Sequence, residues 1–308
     1  RVSVTDLCNY RCTYCMPPEG VKRLPHSEIL TFEEICSVVG AAIPLGINRV
    51  RLTGGEPLVR REIPKLVRML THLPGIEEVY LTTNGSFLEE LAGALRRSGL
   101  SRINVSLDSL RPERYQHITR GGCLKKVWRG IEVARRIGFD PIKLNVVVIE
   151  GVNDDEIEDF AAFTRENPVE VRFIEYMPFG PLEVSARFRY VTVDEMRKRI
   201  SAVGNMQRLP GMSRSGPAER HKLEGAKGVI GFIPAMSHSF CSTCNRIRLT
   251  ADGRLLSCLF SGQSVEVKSL LRSGAAPEKI SDAIRLAIRS KPSARSERCE
   301  NFMSSIGG

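Results

Sequence analysis

Apolar strand, polar turn, amphipathic helix, glycine, next strand: this order repeats from residue 1 to about residue 177 and restricts the possible folds more than any other feature of the chain. Apolar runs predict strands at 2–5, 49–53, 79–83, 103–107, 142–149 and 169–177. Apolar residues at helical spacing predict helices near 32–44, 61–73, 86–97, 123–137 and 154–166. Strands that alternate with helices form a parallel sheet. Four helix exits, Gly46-Ile47, Gly75-Ile76, Gly99-Leu100 and Gly138-Phe139, put a glycine where the chain turns left-handed and an apolar residue where it packs back. Thr31 with Glu34, and Asn153 with Glu156, have capping-box spacing at helix entries.

Six units fall short of the eight of a closed barrel, so the expected fold is α/β, an incomplete (β/α)6 TIM-like barrel, with a doubly wound sheet as the alternative. The unusual residues follow the carboxyl ends of strands: Cys8, Gly54-Gly55-Glu56-Pro57, Thr83-Asn84-Gly85, Ser106-Leu107-Asp108 and Glu175-Tyr176-Met177. Parallel strands gather these ends on one face, where such folds bind ligands. The alternation stops at 178–191, which sets the expected domain division at 1–180 and 181–308. A further helix is expected from Thr192, with Glu195 in capping position.

Six of the nine cysteines fall in two sets, a pattern of metal ligation in a reducing compartment, by default the cytoplasm. Cys8, Cys12 and Cys15 have CX3CX2C spacing within VSVTDLCNYRCTYCM. Three thiolates can hold three irons of a four-iron cluster and leave the fourth open to an outside molecule. A zinc knot with a borrowed fourth ligand fits the spacing alone; the lack of a nearby histidine and the ring of Tyr14 favour the cluster. Cys241, Cys244 and Cys258 form the second set, with Asp252-Gly253 as a hairpin turn that returns the third cysteine to the first two. A second open cluster fits here, as does zinc completed by His238 or Cys299. Cys36 reads as core, and Cys123 and Cys299 as bystanders.

A formal charge of +10 calls for an acidic partner: nucleic acid, an anionic surface or a phosphate-rich small molecule. The charges are dispersed over helices, and one Trp with six Tyr makes a poor base-stacking surface. Arg246 and Arg248 alternate beside the second cysteine loop and suit bidentate phosphate recognition. Lys143 and Arg172 lie in otherwise apolar strands, where a charge is costly unless paired or facing a cavity. Glu56 can accept from an ammonium group, Asp108 suits a helix cap and Asn84 a turn. No run approaches 18 apolar residues and no charged-then-apolar leader opens the chain, so neither a membrane span nor a secretory signal is expected.

CNYRCTYCM, LTGGEPLVRRE, LTTNG, NVSLD and RFIEYMPFG together resemble the radical S-adenosylmethionine enzymes, and FCSTCNRIRLTADGRLLSCLF with the terminal IGG resembles one branch, the GTP 3′,8-cyclases of molybdenum-cofactor biosynthesis. The likeness spans nearly the whole chain and is weakest at 180–228 and 290–302, where Ala294 and Arg295 replace an expected histidine. It implies that a C-terminal α+β domain covers the open side of the barrel. It also implies two [4Fe-4S] clusters, on Cys8, Cys12, Cys15 and on Cys241, Cys244, Cys258, with S-adenosylmethionine on the first and the guanine of GTP on the second. Tyr14, Gly55, Ser106 and Met177 would line the cofactor. Arg1, Arg51, Thr82, Lys143, Arg246 and Arg248 would hold GTP, while Arg172, Gly307 and Gly308 would support the chemistry. A homodimer, an electron-donor protein and the next enzyme of the pathway are the implied partners. A peptide-modifying relative with an auxiliary cluster would need more C-terminal cysteines, and a zinc-stabilised nucleic-acid module would leave the strand ends unexplained.

Overall fold

The computed structural model describes residues 1–181, 185–210, 216–238, 240–260, 262–295, 299 and 302–307. Its first half builds six parallel strands paired in chain order: β1 (Val2–Ser3), β2 (Arg49–Thr53), β3 (Glu78–Thr83), β4 (Arg102–Ser106), β5 (Lys143–Val148) and β6 (Glu170–Glu175). The crossovers carry α1 (Phe32–Ala42), α2 (Ile63–Thr71), α3 (Leu88–Arg97), α4 (Pro112–Thr119), α5 (Leu124–Arg136) and α6 (Ile157–Glu166). Each helix buries one stripe against the sheet; on α5 it is Leu124, Val127, Ile131 and Ala134. The Thr31 box forms as expected, with Glu34 N–H on Thr31 Oγ1 at 3.1 Å and Thr31 N–H on Glu34 Oε2 at 2.7 Å.

The second half adds α7 (Val193–Ser201), β7 (Met206–Arg208), β8 (Glu219–Leu223), β9 (Val229–Ile233), β10 (Arg248–Leu249), β11 (Arg254–Leu256), β12 (Val265–Glu266), α8 (Lys268–Arg272), α9 (Pro277–Arg289) and α10 (Met303–Ile306). The sheet order is β12-β11-β10-β1-β2-β3-β4-β5-β6-β9-β8-β7. β10 pairs parallel with β1 and β9 parallel with β6, so the C-terminal residues lengthen both edges of the six-stranded sheet. The barrel stays open because β12 and β7, its outermost strands, do not pair with each other.

The strands have two chemically distinct faces. Leu144, Val146 and Val148 of β5 are buried in the core formed with the helices, while Lys143 and Asn145 occupy the other face. The register places Arg51 beside Tyr80, Thr82 beside Asn104, Asn104 beside Lys143, Lys143 beside Glu170, and Asn145 beside Arg172. A closed barrel fills its inside with branched apolar side chains; this one presents amides, hydroxyls and charges. Behind them, Phe173 of β6 meets Phe160 edge-on at 6.3 Å and stacks on Phe232 of β9 at 5.9 Å. Such ring pairs add about 0.5–1.5 kcal/mol each beyond area burial, so the backbone carrying Glu170 and Arg172 is firmly held.

Several expectations need correction. Asn153 does not cap a helix: its Nδ2 donates to Asp108 O and Val147 O, and its Oδ1 accepts from Ile149 N–H. Glu156 is buried and accepts from Ser109 Oγ and Leu110 N–H, tying the β4 exit to α6. β1 ends at Ser3 rather than residue 5, because Thr5 O turns to accept Gly55 N–H. Helix α4 was not expected, since its eight residues bury only Tyr115, Ile118 and Thr119. β7, β8, β9 and α9 were also missed, lying where the regular alternation gives no guide.

Candidate active site

Two cysteine sets sit at the mouth of the parallel strands. Cys8, Cys12 and Cys15 occupy the loop after β1, whose shape is set by local hydrogen bonds: Cys15 and Met16 N–H both reach Cys12 O, and Arg11 Nη1 donates to Cys8 O at 2.5 Å. Arg120 donates from outside the loop to Arg11 O and Met16 O at 2.9 Å each. Gly54 and Gly55 press against the lead-in to this loop: a Cβ on Gly55 would stand 2.3 Å from Leu7 O, and one on Gly54 2.8 Å from Thr5 O. Only glycine fits there. The approach that Gly55 allows is to the chain itself, and it fixes where the cysteines stand.

Glu56, the next residue, turns inward. Its carboxylate accepts from Thr83 Oγ1 at 2.6 Å, Asn84 N–H at 2.7 Å and Leu58 N–H at 3.0 Å, so it ties the ends of β2 and β3. Burial pushes its carboxyl up to about 7 against those hydrogen bonds. Asn84 is the expected turn residue, its Oδ1 accepting from Ser86 N–H. Asp108 is not a helix cap; it accepts from Tyr14 Oη at 2.6 Å and Val147 N–H at 2.9 Å, and so orients the ring between Cys12 and Cys15. Tyr14 also meets Tyr176 edge-on at 6.4 Å. Ser106 ends β4 in the same ring of strand ends. Met177 packs with Cys258 against a small apolar cluster of Phe179, Leu256, Phe260, Cys299 and Ile306.

None of the nine cysteines forms a disulfide, and the six of the two sets are partly exposed. The Cys8 thiol accepts a backbone N–H from Tyr10 and the Cys258 thiol one from Phe260, each two residues on and both at 3.4 Å. Hydrogen bonds to sulfur of this kind tune cluster thiolates. Burial raises the Cys8 and Cys12 thiols. At Cys244 burial is outweighed by Arg246 N–H, Lys291 and the Arg246 charge, which hold the thiol below its ordinary value. Among the described residues no three His, Cys, Asp or Glu side chains converge as a single metal ion would require. His238 is exposed with its Nε2 2.8 Å from Asp194 Oδ2, and Cys299 lies in the apolar cluster. Cys36 is half-buried against the main core and Cys123 is exposed.

Beside the second set stand the cations, with Cys244 acting on Arg1, Arg246 and Arg248. Arg1, Arg51, Arg246 and Arg248 are close enough that their charges depress one another, after burial itself. Arg51 falls to about 10 and Arg248 to about 9. Arg51 donates to Thr82 Oγ1 at 3.3 Å and lies over Tyr80 at 4.9 Å. Lys143 and Arg172 are paired as buried charges must be, through Glu170 at 3.3 and 2.6 Å. Arg248 is buried and the other three are half-buried, and an arrangement of arginines that repel one another suits a polyanion.

Gly307 enters this site from the C-terminal end. Its carbonyl accepts from Thr53 Oγ1 and from Arg248 Nη1, each at 3.1 Å. Its φ is +72°, and an added Cβ would lie 2.6 Å from Ser3 Cβ. Gly308 lies outside the described residues. Gly307→Ala is therefore expected to displace the tail and lower turnover about 10²-fold, the scale set by a 1 Å misplacement, with iron content unchanged. Wild-type turnover in that variant would show the tail to be dispensable.

Three further residues complete the site, of which the sequence did not single out Glu170. Glu170 is legible only as the i, i+2 neighbour of Arg172 on one strand face. Glu175 accepts from Met236 N–H, Ser237 N–H and Val193 N–H, fixing the loop that leads to Cys241. Arg295 holds the same loop through Ala235 O and Met236 O at 3.0 Å and lies over Phe260 at 5.3 Å. That gives the position of the expected histidine a definite structural role.

Residues 2–164 match the Radical SAM superfamily and residues 169–297 match Molybdenum Cofactor Synthesis C. The chain is 46 % identical over 312 residues to a GTP 3′,8-cyclase of Moorella thermoacetica, covering 100 % of this chain and 96 % of that protein. It is 48 % identical over 314 residues to a GTP 3′,8-cyclase of Pelotomaculum thermopropionicum, with the same coverage. Among solved structures, Streptococcus suis SuiB superposes with a TM-score of 0.62 at 14 % identity, over 92 % of this chain and 67 % of that one. A radical SAM methyltransferase from Sphaerobacter thermophilus gives 0.53 at 22 % identity, over 66 % and 63 %. These two likenesses concern the fold alone.

Proposed function

Because the chain belongs to the GTP 3′,8-cyclase family of radical S-adenosylmethionine enzymes, we propose a role for each element of its site in that reaction. The enzyme converts GTP to (8S)-3′,8-cyclo-7,8-dihydroguanosine 5′-triphosphate, the first step of molybdenum-cofactor biosynthesis. A [4Fe-4S] cluster carrying S-adenosylmethionine supplies, on one-electron reduction, the 5′-deoxyadenosyl radical that takes hydrogen from C3′ of GTP.

Cys8, Cys12 and Cys15 would hold that cluster, and three thiols outside any disulfide, on a loop pinned by Gly55 and Arg120, fit it. Tyr14, oriented by Asp108, lies with Gly55, Ser106 and Met177 around the cofactor. Cys241, Cys244 and Cys258 would hold a second cluster, which would supply a binding site for the guanine of GTP. Arg1, Arg51, Thr82, Lys143, Arg246 and Arg248 hold GTP, mostly by its triphosphate. Arg172 and the Gly307-Gly308 tail position the reacting sugar and exclude water, which would quench a carbon radical.

The observation that supports this reading is the set of mutually repelling arginines gathered beside the second cysteine set. Nucleic acid is not needed to explain the charge. Among the described residues no helix is long and apolar enough to cross a membrane. A cytoplasmic homodimer, fed by an electron-donor protein and followed by the next enzyme of the pathway, completes the proposal.

The second cluster is tested by iron analysis. Anaerobically reconstituted protein should hold about eight irons per chain, as two four-iron clusters require. Cys241→Ser should lose about half of them and keep S-adenosylmethionine cleavage. Four irons in wild type, or zinc at the second set, would overturn it.

A further inference from the structure

Glu170 is 2 % exposed and belongs to neither cysteine set. Its Oε1 lies 2.6 Å from Arg172 Nε, and its Oε2 lies 3.3 Å from Lys143 Nζ and 3.6 Å from Arg220 Nε. Three strands thus deliver a cation to one carboxylate: Lys143 from β5, Arg172 from β6 itself and Arg220 from β8. We propose that Glu170 is a positioning residue for the triphosphate, keeping the Lys143 ammonium protonated and placed at the inner face of the barrel. This rests on the reading that Lys143 contacts the phosphates.

The electrostatics around Lys143 give the reason. Burial and the Arg172 charge lower it, Glu170 raises it by charge and hydrogen bond, and Arg102 on β4 lowers it again; the balance leaves it at about 8. Within hydrogen-bond reach of Lys143, Glu170 is the group that favours the charged form. A neutral amine gives a phosphate no charge-assisted contact. In wild type the Lys143 contribution is present at neutral pH and fades as pH rises through about 8. Without the Glu170 charge the ammonium loses its proton at lower pH, so the contribution fades earlier.

GTP dissociation constants of the reconstituted holoenzyme, measured from mildly acidic to alkaline pH, test this. The ratio of Glu170→Gln to wild type cancels the titration of the nucleotide itself. It should be near one at the acid end and climb about tenfold toward pH 8, the weight of one contact to a charged group. Adding Lys143→Arg, which stays charged, should flatten the climb. Glu170→Asp, which keeps the charge but not the length, should follow the wild-type profile, whereas a packing role would make Asp worse than Gln.

A ratio independent of pH, or a climb that Lys143→Arg leaves in place, would overturn the proposal. Should Glu170→Gln fail to fold, Lys143→Arg alone must remove the alkaline fall-off of wild type, and its persistence counts against the proposal equally. Unchanged GTP binding in Lys143→Ala would instead remove the triphosphate reading on which the proposal stands.

Discussion

Cys12→Ser protein, reconstituted anaerobically with iron and sulfide, is expected to release no 5′-deoxyadenosine from S-adenosylmethionine. Cys12 is the pivot of its loop: its carbonyl accepts from both Cys15 and Met16, and its thiol lies between the other two in sequence. Serine preserves the loop and removes the ligand, since a hydroxyl is not deprotonated at neutral pH as a metal-bound thiol is. Even groups that merely support a ligand cost about 10- to 100-fold when lost, so loss of the ligand itself should exceed that range. Circular dichroism should match wild type, because the core helices and strands do not pass through Cys12. Undiminished cleavage would remove the first-cluster assignment.

Arg246→Ala/Arg248→Ala is expected to lower GTP affinity about 10²- to 10³-fold, as truncating buried charge-to-charge contacts costs about 2–5 kcal/mol. Both guanidiniums are held in place before substrate arrives: Arg246 lies over Phe240 at 5.2 Å, and Arg248 is buried and bonded to Gly307 O. The two losses should not simply add, because the side chains share one site and one field. Arg246→Ala alone keeps the contact to the tail and separates phosphate binding from tail placement. Cleavage of S-adenosylmethionine uncoupled from GTP should persist in the double variant, since neither arginine belongs to the first cysteine loop. Equal GTP affinity would mean that the pair is not part of the phosphate site.

The barrel half of the chain is readable because each of its elements is specified locally. Gly46, Gly75, Gly99 and Gly138 all take positive φ at helix exits as their positions suggest, and the Thr31 box closes as its spacing requires. Motif residues at strand ends are equally legible once the strands are known to be parallel. What could not be read are pairings between residues far apart in sequence. Asn153 and Glu156 have the spacing of a capping box, yet long-range partners at Asp108 and Ser109 claim both side chains. Glu170 joins Lys143 and Arg220 across three strands, and Glu175 joins β6 to residues 236 and 237. No local pattern signals such contacts. β9 and β10 add in parallel to the two sides of the six-stranded barrel, a placement that depends on the finished sheet rather than on their own short sequences.

The reaction itself is tested most directly by incubating the reconstituted enzyme anaerobically with reductant, S-adenosylmethionine and GTP, and analysing the mixture by mass spectrometry. A GTP 3′,8-cyclase gives 5′-deoxyadenosine whose release is stimulated by GTP, together with a nucleotide of unchanged mass and altered retention. Protein with its full iron and sulfide complement that yields neither 5′-deoxyadenosine nor that isomer would contradict the assignment.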